Sequence, residues 1–423
     1  MRSLLFFILL SIGHIGYGQE EEKLPLRERL EEAGIEYQGY VSARQNYKVA
    51  DDLYHDKKFN LSESRLQLDI DYYRDITQWK WKSDLVLDPY LEEVRLDIRE
   101  ANMSLSPASW LDFKIGRQIL TWGKGDLLFI NDLFPKDFQS FFVGRELEYL
   151  KAPSDALKTN LYIKGFQLNI IYTPKFDPDI FPTGERLTFY DPTIGYRGEQ
   201  NQLPYAQPDQ WFRDDEYALR LKRNVKGFDL ALYGYHGFWK SPAGFDISTG
   251  LYQFPSMSAI GFSGEGALLG GITSIEFGAY LSEDNDGTDP LINNSQLRWI
   301  LGYARDFKND WKASLQYYQE HITQYDALLA STPLSSIVPD QTQHTITLRL
   351  EKMLQQQKWR ASLFTFYNVS AKDIYLRPNL SYKLTDAWKI DVGANLFAGV
   401  LDTTFWSQFS QSNNIYLGIK WSY

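Results

Sequence analysis

From residue 35 to the end of the chain, hydrophobic and polar positions alternate with a period of two in one segment after another. The run Arg65-Leu66-Gln67-Leu68-Asp69-Ile70-Asp71-Tyr72 places Leu66, Leu68, Ile70 and Tyr72 on one face and Arg65, Gln67, Asp69 and Asp71 on the other. Residues 347–351 repeat the pattern, and so do 415–423, where Ile415, Leu417, Ile419, Trp421 and Tyr423 share a face. Successive side chains of a strand point to opposite sides, so these are strands with one apolar and one polar surface. Eighteen such segments are expected, at 35–50, 58–74, 77–89, 91–106, 109–122, 155–164, 166–174, 215–224, 227–238, 254–265, 269–281, 295–306, 310–322, 341–353, 357–369, 371–384, 388–400 and 412–423. Residues 19–34 read instead as a short amphipathic helix, with Leu24, Leu26 and Leu30 set among Glu and Arg.

The connections alternate in length. Tight turns at 74–77, 107–110, 164–166, 224–227, 264–270, 308–311, 355–358 and 384–388 alternate with links that are usually longer. An up-and-down transmembrane barrel has this rhythm, with turns on one rim and loops on the other. A soluble sandwich would use similar strands, but Trp79, Trp81, Trp110, Trp311, Trp359 and Trp388 fall near segment ends, as interfacial aromatic girdles do. The terminal Trp421-Ser422-Tyr423 is like the sorting strand that engages outer-membrane assembly machinery. Backbone groups in lipid have no water partner, which demands that the sheet close on itself. The expected fold is all-β: a transmembrane antiparallel barrel of about 18 strands, with 16 as the alternative because segments near 254–281 are glycine-rich.

Composition changes this picture in three places. Arg2, the apolar stretch from Leu4 to Ile12 and the small Gly16 and Gly18 predict an export signal cleaved before Gln19. The expected organisation is a signal peptide at 1–18, a periplasmic helical segment at 19–34 and an outer-membrane barrel at 35–423. The absence of cysteine excludes a lipoprotein anchor, disulfides and thiolate chemistry. A net charge of −10 with no basic run disfavours a nucleic-acid partner.

Alternation also selects the lumen. Arg65, Arg95, Arg99, Arg117, Arg220, Arg298, Arg349 and Arg377 are placed inside, with Lys114, Lys222, Lys312 and Lys420 nearer the rims. Fewer acids oppose them: Asp69, Asp71, Asp97, Asp112, Asp229, Glu320, Glu351 and Asp391. Converging positive charge in a channel favours anions. The competing reading pairs these arginines across strands, merely to stiffen the wall. The loop Ser282 to Asp289 lacks the ligand spacing of an EF-hand and reads as solvated.

One stretch breaks the period. From Gly116, GRQILTWGKGDLLFINDLFPKDFQSFF starts as a strand and runs into a long loop at 123–154 containing Phe129, Phe134, Phe138, Phe141 and Phe142. Five phenylalanines are costly in water, so the loop is expected to fold inward as a partial plug. Lys124, Asp126, Asp132, Lys136 and Asp137 would supply the polar edge of the gate, with Phe138 beside them. Apolar phase slips between Ile98 and Ala101 and around Gly116-Arg117, where β-bulges would re-aim side chains.

The pieces Arg99-Glu100-Ala101, Gly116-Arg117-Gln118 and Trp122-Gly123, followed by Asp126, Pro135 and Asp137, occur in order. Pro174 to Asp179 (PKFDPD), Pro182, Glu216 to Arg220 (EYALR) and Gly227 to Tyr233 (GFDLALY) follow. Over roughly 94–240 this pattern resembles a poorly characterised family of outer-membrane barrels, a domain of unknown function akin to alginate-export and porin-like barrels. The chain departs from that pattern at Asn102-Met103 and after Trp122. The resemblance implies a passive channel or exporter.

The function expected is passive passage of small anionic or polyanionic solutes, oligosaccharides included, with outer-membrane lipid as the surrounding partner and no cofactor or metal. A channel for hydrophobic solutes is the first alternative, on the strength of the loop phenylalanines. A rim protease or lipase is the second, and a non-conducting structural or adhesive barrel the third. For an enzyme, His55, His236, His321 and His344 all fall at predicted outer ends, and His321 and His344 lie on adjacent segments. Nothing completes a catalytic set around them.

Overall fold

The computed structural model describes residues 26–191, 193–333 and 338–423. The predicted signal peptide and the first residues of the 19–34 segment lie outside them. Within the N-terminal unit, which ends at Glu36, α1 (Leu26–Glu32) forms one amphipathic turn-pair with an Arg27–Glu31 ion pair of 3.0 Å.

The second unit, Tyr37–Tyr423, is built from strands. In chain order they are β1 (Ile35–Lys48), β2 (Leu61–Arg74), β3 (Thr77–Asp88), β4 (Glu93–Ala108), β5 (Leu111–Ile119), β6 (Pro153–Ile163), β7 (Phe166–Thr173), β8 (Phe189–Asp191), β9 (Gly195–Arg197), β10 (Glu216–Val225) and β11 (Phe228–Phe238). Then come β12 (Gly244–Asp246), β13 (Leu251–Gln253), β14 (Ser256–Leu268), β15 (Gly271–Ser282), β16 (Gln296–Phe307), β17 (Trp311–Ile322), β18 (Thr342–Leu354), β19 (Trp359–Asn368), β20 (Asp373–Lys383), β21 (Trp388–Gly399) and β22 (Asn414–Ser422). The pairs β8–β9 and β12–β13 are small hairpins within loops; the other strands form one 18-stranded sheet. It closes where β1 pairs antiparallel with β22, from Tyr40↔Ser422 to Lys48↔Asn414.

Every predicted segment is a barrel strand. The glycine-rich pair β14 and β15 runs in unbroken register from Met257↔Ser282 to Leu268↔Gly271, so the sixteen-strand alternative falls. The tight turns gather on one rim. Lys226 and Gly227 both take positive φ, 51° and 85°, the two-residue geometry that matches strand twist.

The polar face points inward. On β2, Glu63, Arg65, Gln67 and Asp69 are buried while Leu66 is exposed. Outward, Leu85, Leu96, Leu232, Ile260, Leu301 and Leu417 are exposed all round the barrel, and Trp79, Trp110, Trp311 and Trp388 lie near the turn rim. A continuous apolar belt of this extent would be untenable in water; it is a lipid-facing surface. The molecule is a transmembrane β-barrel of the outer-membrane type.

One of the two predicted bulges is present. β3 and β4 shift register so that Lys82 opposes Glu100 and Ser83 opposes Ile98, leaving Arg99 as the extra residue. No shift occurs at Gly116-Arg117, where β5 stays in register with both neighbours. Gly116 instead adopts φ 113°, and a Cβ there would collide with the Ala101 carbonyl.

Candidate channel constriction

The long connection between β5 and β6, residues 120–152, lies inside the barrel and meets the inner wall on two sides. Its first descent is held by Glu276 of β15. That carboxylate accepts from the amides of Lys124 (2.7 Å), Gly125 (3.2 Å) and Asn131 (2.7 Å), and from Asn131 Nδ2 (3.1 Å). Lys124 Nζ reaches Glu265 of β14 at 2.9 Å. Asp126 donates its amide to Gln316 of β17 and pairs with Arg349 of β18 at 2.6 Å. The loop then climbs back to Tyr280, whose hydroxyl donates to the Ile130 carbonyl.

A short helix, α2 (Phe138–Val143), follows, capped by Asp137, which accepts from the Ser140 amide at 2.6 Å. Phe142 is buried against Tyr375, Phe397, Trp406 and Phe409, so the helix docks through aromatic rings. The second descent is held by backbone carbonyls. Arg377 donates to Phe141 O (3.3 Å) and Arg145 O (2.6 Å), Arg44 to Gly144 O (2.9 Å), and Arg99 to Glu148 O (2.9 Å) and Lys151 O (3.0 Å). Arg145 pairs with Glu63 at 2.9 Å, and Glu146 with Lys420 at 2.7 Å.

The loop leaves cavities above and below it. Toward the long-loop rim lies one of about 730 Å³, walled largely by rings that include Phe129, Phe138, Phe181, Tyr190, Trp239 and Trp406, with Arg298 and Glu320 among them. Toward the turn rim lies one of about 290 Å³, lined by Arg44, Arg145, Arg349, Arg360, Arg377 and Lys389 against Glu146, Glu148, Glu351 and Asp391. A third, of about 860 Å³, opens beside it around Lys124, Asp126, Arg305 and Lys312. Leu127, at the bottom of the first descent, lines both the first and the second.

The closed barrel is similar in fold to solved structures. The structure of OccAB3 from Acinetobacter baumannii is similar over 92% of this chain and 99% of its own, with a TM-score of 0.53 at 10% identity. OccK11 (OpdR) from Pseudomonas aeruginosa is similar over 91% of this chain and 95% of its own, with a TM-score of 0.50 at 10% identity. The fold is that of a porin-like outer-membrane barrel. No family model and no curated protein matches the chain, so the family suggested by the REA, GRQ and WG pieces is not established.

Set in this barrel, the predicted lumenal arginines divide by partner. Arg65 pairs with Glu63 (2.7 Å) and Asp84 (3.2 Å), Arg95 with Glu93, Asp88 and Asp97, and Arg298 with Glu320 (3.0 Å). Arg349 pairs with Asp126, Arg99 and Arg377 hold loop carbonyls, and Arg220 donates to Asn169 at 2.8 Å. Arg117 corrects the expectation. It shares the outward face of β5 with exposed Ile115 and pairs with Asp155 at 3.4 Å, because no bulge turns it inward. Acids that the sequence pattern had not placed inside, Glu63, Asp84, Glu216, Glu265 and Glu276, also face inward.

The loop's polar edge needs a similar correction. Lys124 and Asp126 do reach the wall, but Asp132, Lys136 and Asp137 turn into the loop itself. Lys136 is buried, pairs with Asp132 at 3.0 Å and donates to the Phe134 carbonyl at 2.6 Å, an internal staple in which the two charges satisfy each other at the wall of the outer cavity. Phe138 lies over Phe142 with ring centroids 6.0 Å apart and lines the outer cavity with Phe129. Phe134, Phe141 and Phe142 are buried. The histidines do not assemble: His321 bonds to Thr342 (2.8 Å), His344 to Tyr317 (2.7 Å) and His236 to Ser258 (2.9 Å). Sequence reasoning missed the inner-cavity cations Arg44, Arg145, Arg360 and Lys389; period two alone would have found all but Arg145, which lies on the loop.

Proposed function

We propose that the protein is a passive outer-membrane channel, without enzymatic activity, that passes small anionic solutes through a constriction formed by the inward loop. One observation carries this reading: two cavities stacked along the lumen meet at Leu127, and the one nearer the turn rim is lined by more basic than acidic side chains. Arg360 and Lys389 matter most among them, because they are partly exposed, Arg360 pairing with Glu351 at 2.6 Å and Lys389 reaching Glu146 of the loop only at 3.7 Å. The loop acts as the gate: its ties to the wall set the width of the path. The aromatic walls of the outer cavity support a second element, in that permeant solutes carry an apolar portion. A purely hydrophobic solute is disfavoured by the charged inner cavity, where it would displace water from ions.

The test is reversal potential across a planar bilayer under a salt gradient. Anion preference is expected, and Arg360→Gln with Lys389→Gln should reduce it by about half or more at low ionic strength, where charge is least screened. Cation preference in the unaltered protein would refute the anionic reading.

A further inference from the structure

Two neighbouring hairpins of the turn rim carry positive charge that nothing in the barrel answers. The β6–β7 turn is Lys164-Gly165, the β10–β11 turn is Lys226-Gly227, and β7 pairs directly with β10. Both lysines take positive φ, 48° and 51°, where a turn built for its backbone alone uses Asn, Asp or Gly, so turn geometry does not explain them. Arg223 lies opposite Phe166 across the β7–β10 pair, its guanidinium 4.5 Å from the centroid of that ring. Lys164, Arg223 and Lys226 are exposed and, among the described residues, enter no ion pair and no side-chain hydrogen bond. The neighbouring acid, Asp229, is already matched by Lys222 at 3.2 Å and by Asn224 at 2.9 Å.

Arg223 faces the bilayer and not the lumen. It follows exposed Leu219 and Leu221 on the outward face of β10, and Phe166 stands on the outward face of β7. A guanidinium at the end of an apolar column sits at headgroup depth, with acyl chains along the column. Elsewhere on this rim a cation stands beside an acid, as Arg74 beside Asp75 and Lys308 between Asp306 and Asp310. Composition does not account for the cluster either, in a chain of net charge −10.

We propose that Arg223, Lys164 and Lys226 bind the headgroup of an anionic phospholipid in the leaflet at the turn rim. Arg223 holds the phosphodiester, for which a guanidinium offers two parallel N–H groups. The two lysines flank it from the turn tips, and an acyl chain lies along Leu219 and Leu221. A zwitterionic lipid has the same phosphate but brings its own cation, which the lysines repel.

The chain lacks cysteine, so one fluorescent label can be placed at Leu221→Cys and, in a second protein, at Val392→Cys on the outward face of β21, across the barrel. Quenching of each label in the reconstituted barrel by brominated phosphatidylglycerol, and separately by brominated phosphatidylcholine, gives the relative affinity of the adjoining lipid. Phosphatidylglycerol should be preferred about fivefold at Leu221→Cys, the scale of one cation at an anionic membrane surface, and should show no such preference at Val392→Cys. Arg223→Gln, Lys164→Gln and Lys226→Gln together should bring the first position to the level of the second, and Arg223→Lys alone should retain part of the preference. Heat-modifiable migration checks that each barrel is folded. Equal values at the two positions, or a preference untouched by the triple substitution, would overturn the site. Loss of the preference to inorganic phosphate at constant ionic strength would also overturn it, by assigning the cluster to a soluble anion.

Discussion

Asp52 shows how a single carboxylate can fix a loop. It sits between β1 and β2, paired with Lys48 at 3.2 Å and with His55 at 3.0 Å, while the Thr188 hydroxyl donates to it at 2.7 Å from the distant 174–215 connection. Burial pushes its pKa up, but hydrogen bonds from His55, Thr188 and the Tyr54 amide outweigh that and hold it at about 2, below the ordinary 3.8. A depressed carboxyl stabilises the folded loop above its ordinary value and loses that contribution as pH falls through the depressed one. Protection of the amides in residues 49–60, taken relative to intrinsic exchange at each pH, should therefore hold down to the ordinary value and fall progressively between it and about 2. At this scale alternation read the inward faces well, and the choice of partner poorly. Arg99 and Arg377 hold carbonyls of a loop whose path no periodicity encodes, and Arg117 faces out because a bulge lies at Arg99 and not beside it.

The strands were legible because each repeats a two-residue period between turns, and even the glycine-rich β14 and β15 kept it. The inward loop was legible for a different reason, the cost of its phenylalanines in water. Which of its charges would face the lumen was not, because Lys136 and Asp132 satisfy each other locally. The anchor that sequence could not show is Glu276, one carboxylate gathering three amides from two separate parts of the loop. Glu276→Gln keeps the size and loses an acceptor oxygen, leaving at least one buried amide unpaired at a cost of about 1–3 kcal/mol. The barrel should stay folded while residues 121–133 become more sensitive to added protease and single-channel current becomes noisier. Unchanged protease sensitivity and quiet current would show that the loop is held elsewhere.

At the scale of the whole molecule, eighteen strands enclose more space than their inward side chains fill. The loop between β5 and β6 occupies that space from two sides and narrows the lumen. The apolar belt and the turn-rim tryptophans place this narrowed tube across a bilayer. On the proposed function, the tube conducts and the loop sets how much. The most direct measurement is single-channel conductance of the purified barrel in a planar bilayer, beside a variant in which residues 123–148 are replaced by a short Gly-Ser link. Small discrete steps are expected from the unaltered protein, and steps several-fold larger from the variant. A folded barrel giving no steps in either form, or steps of the same size in both, would contradict it.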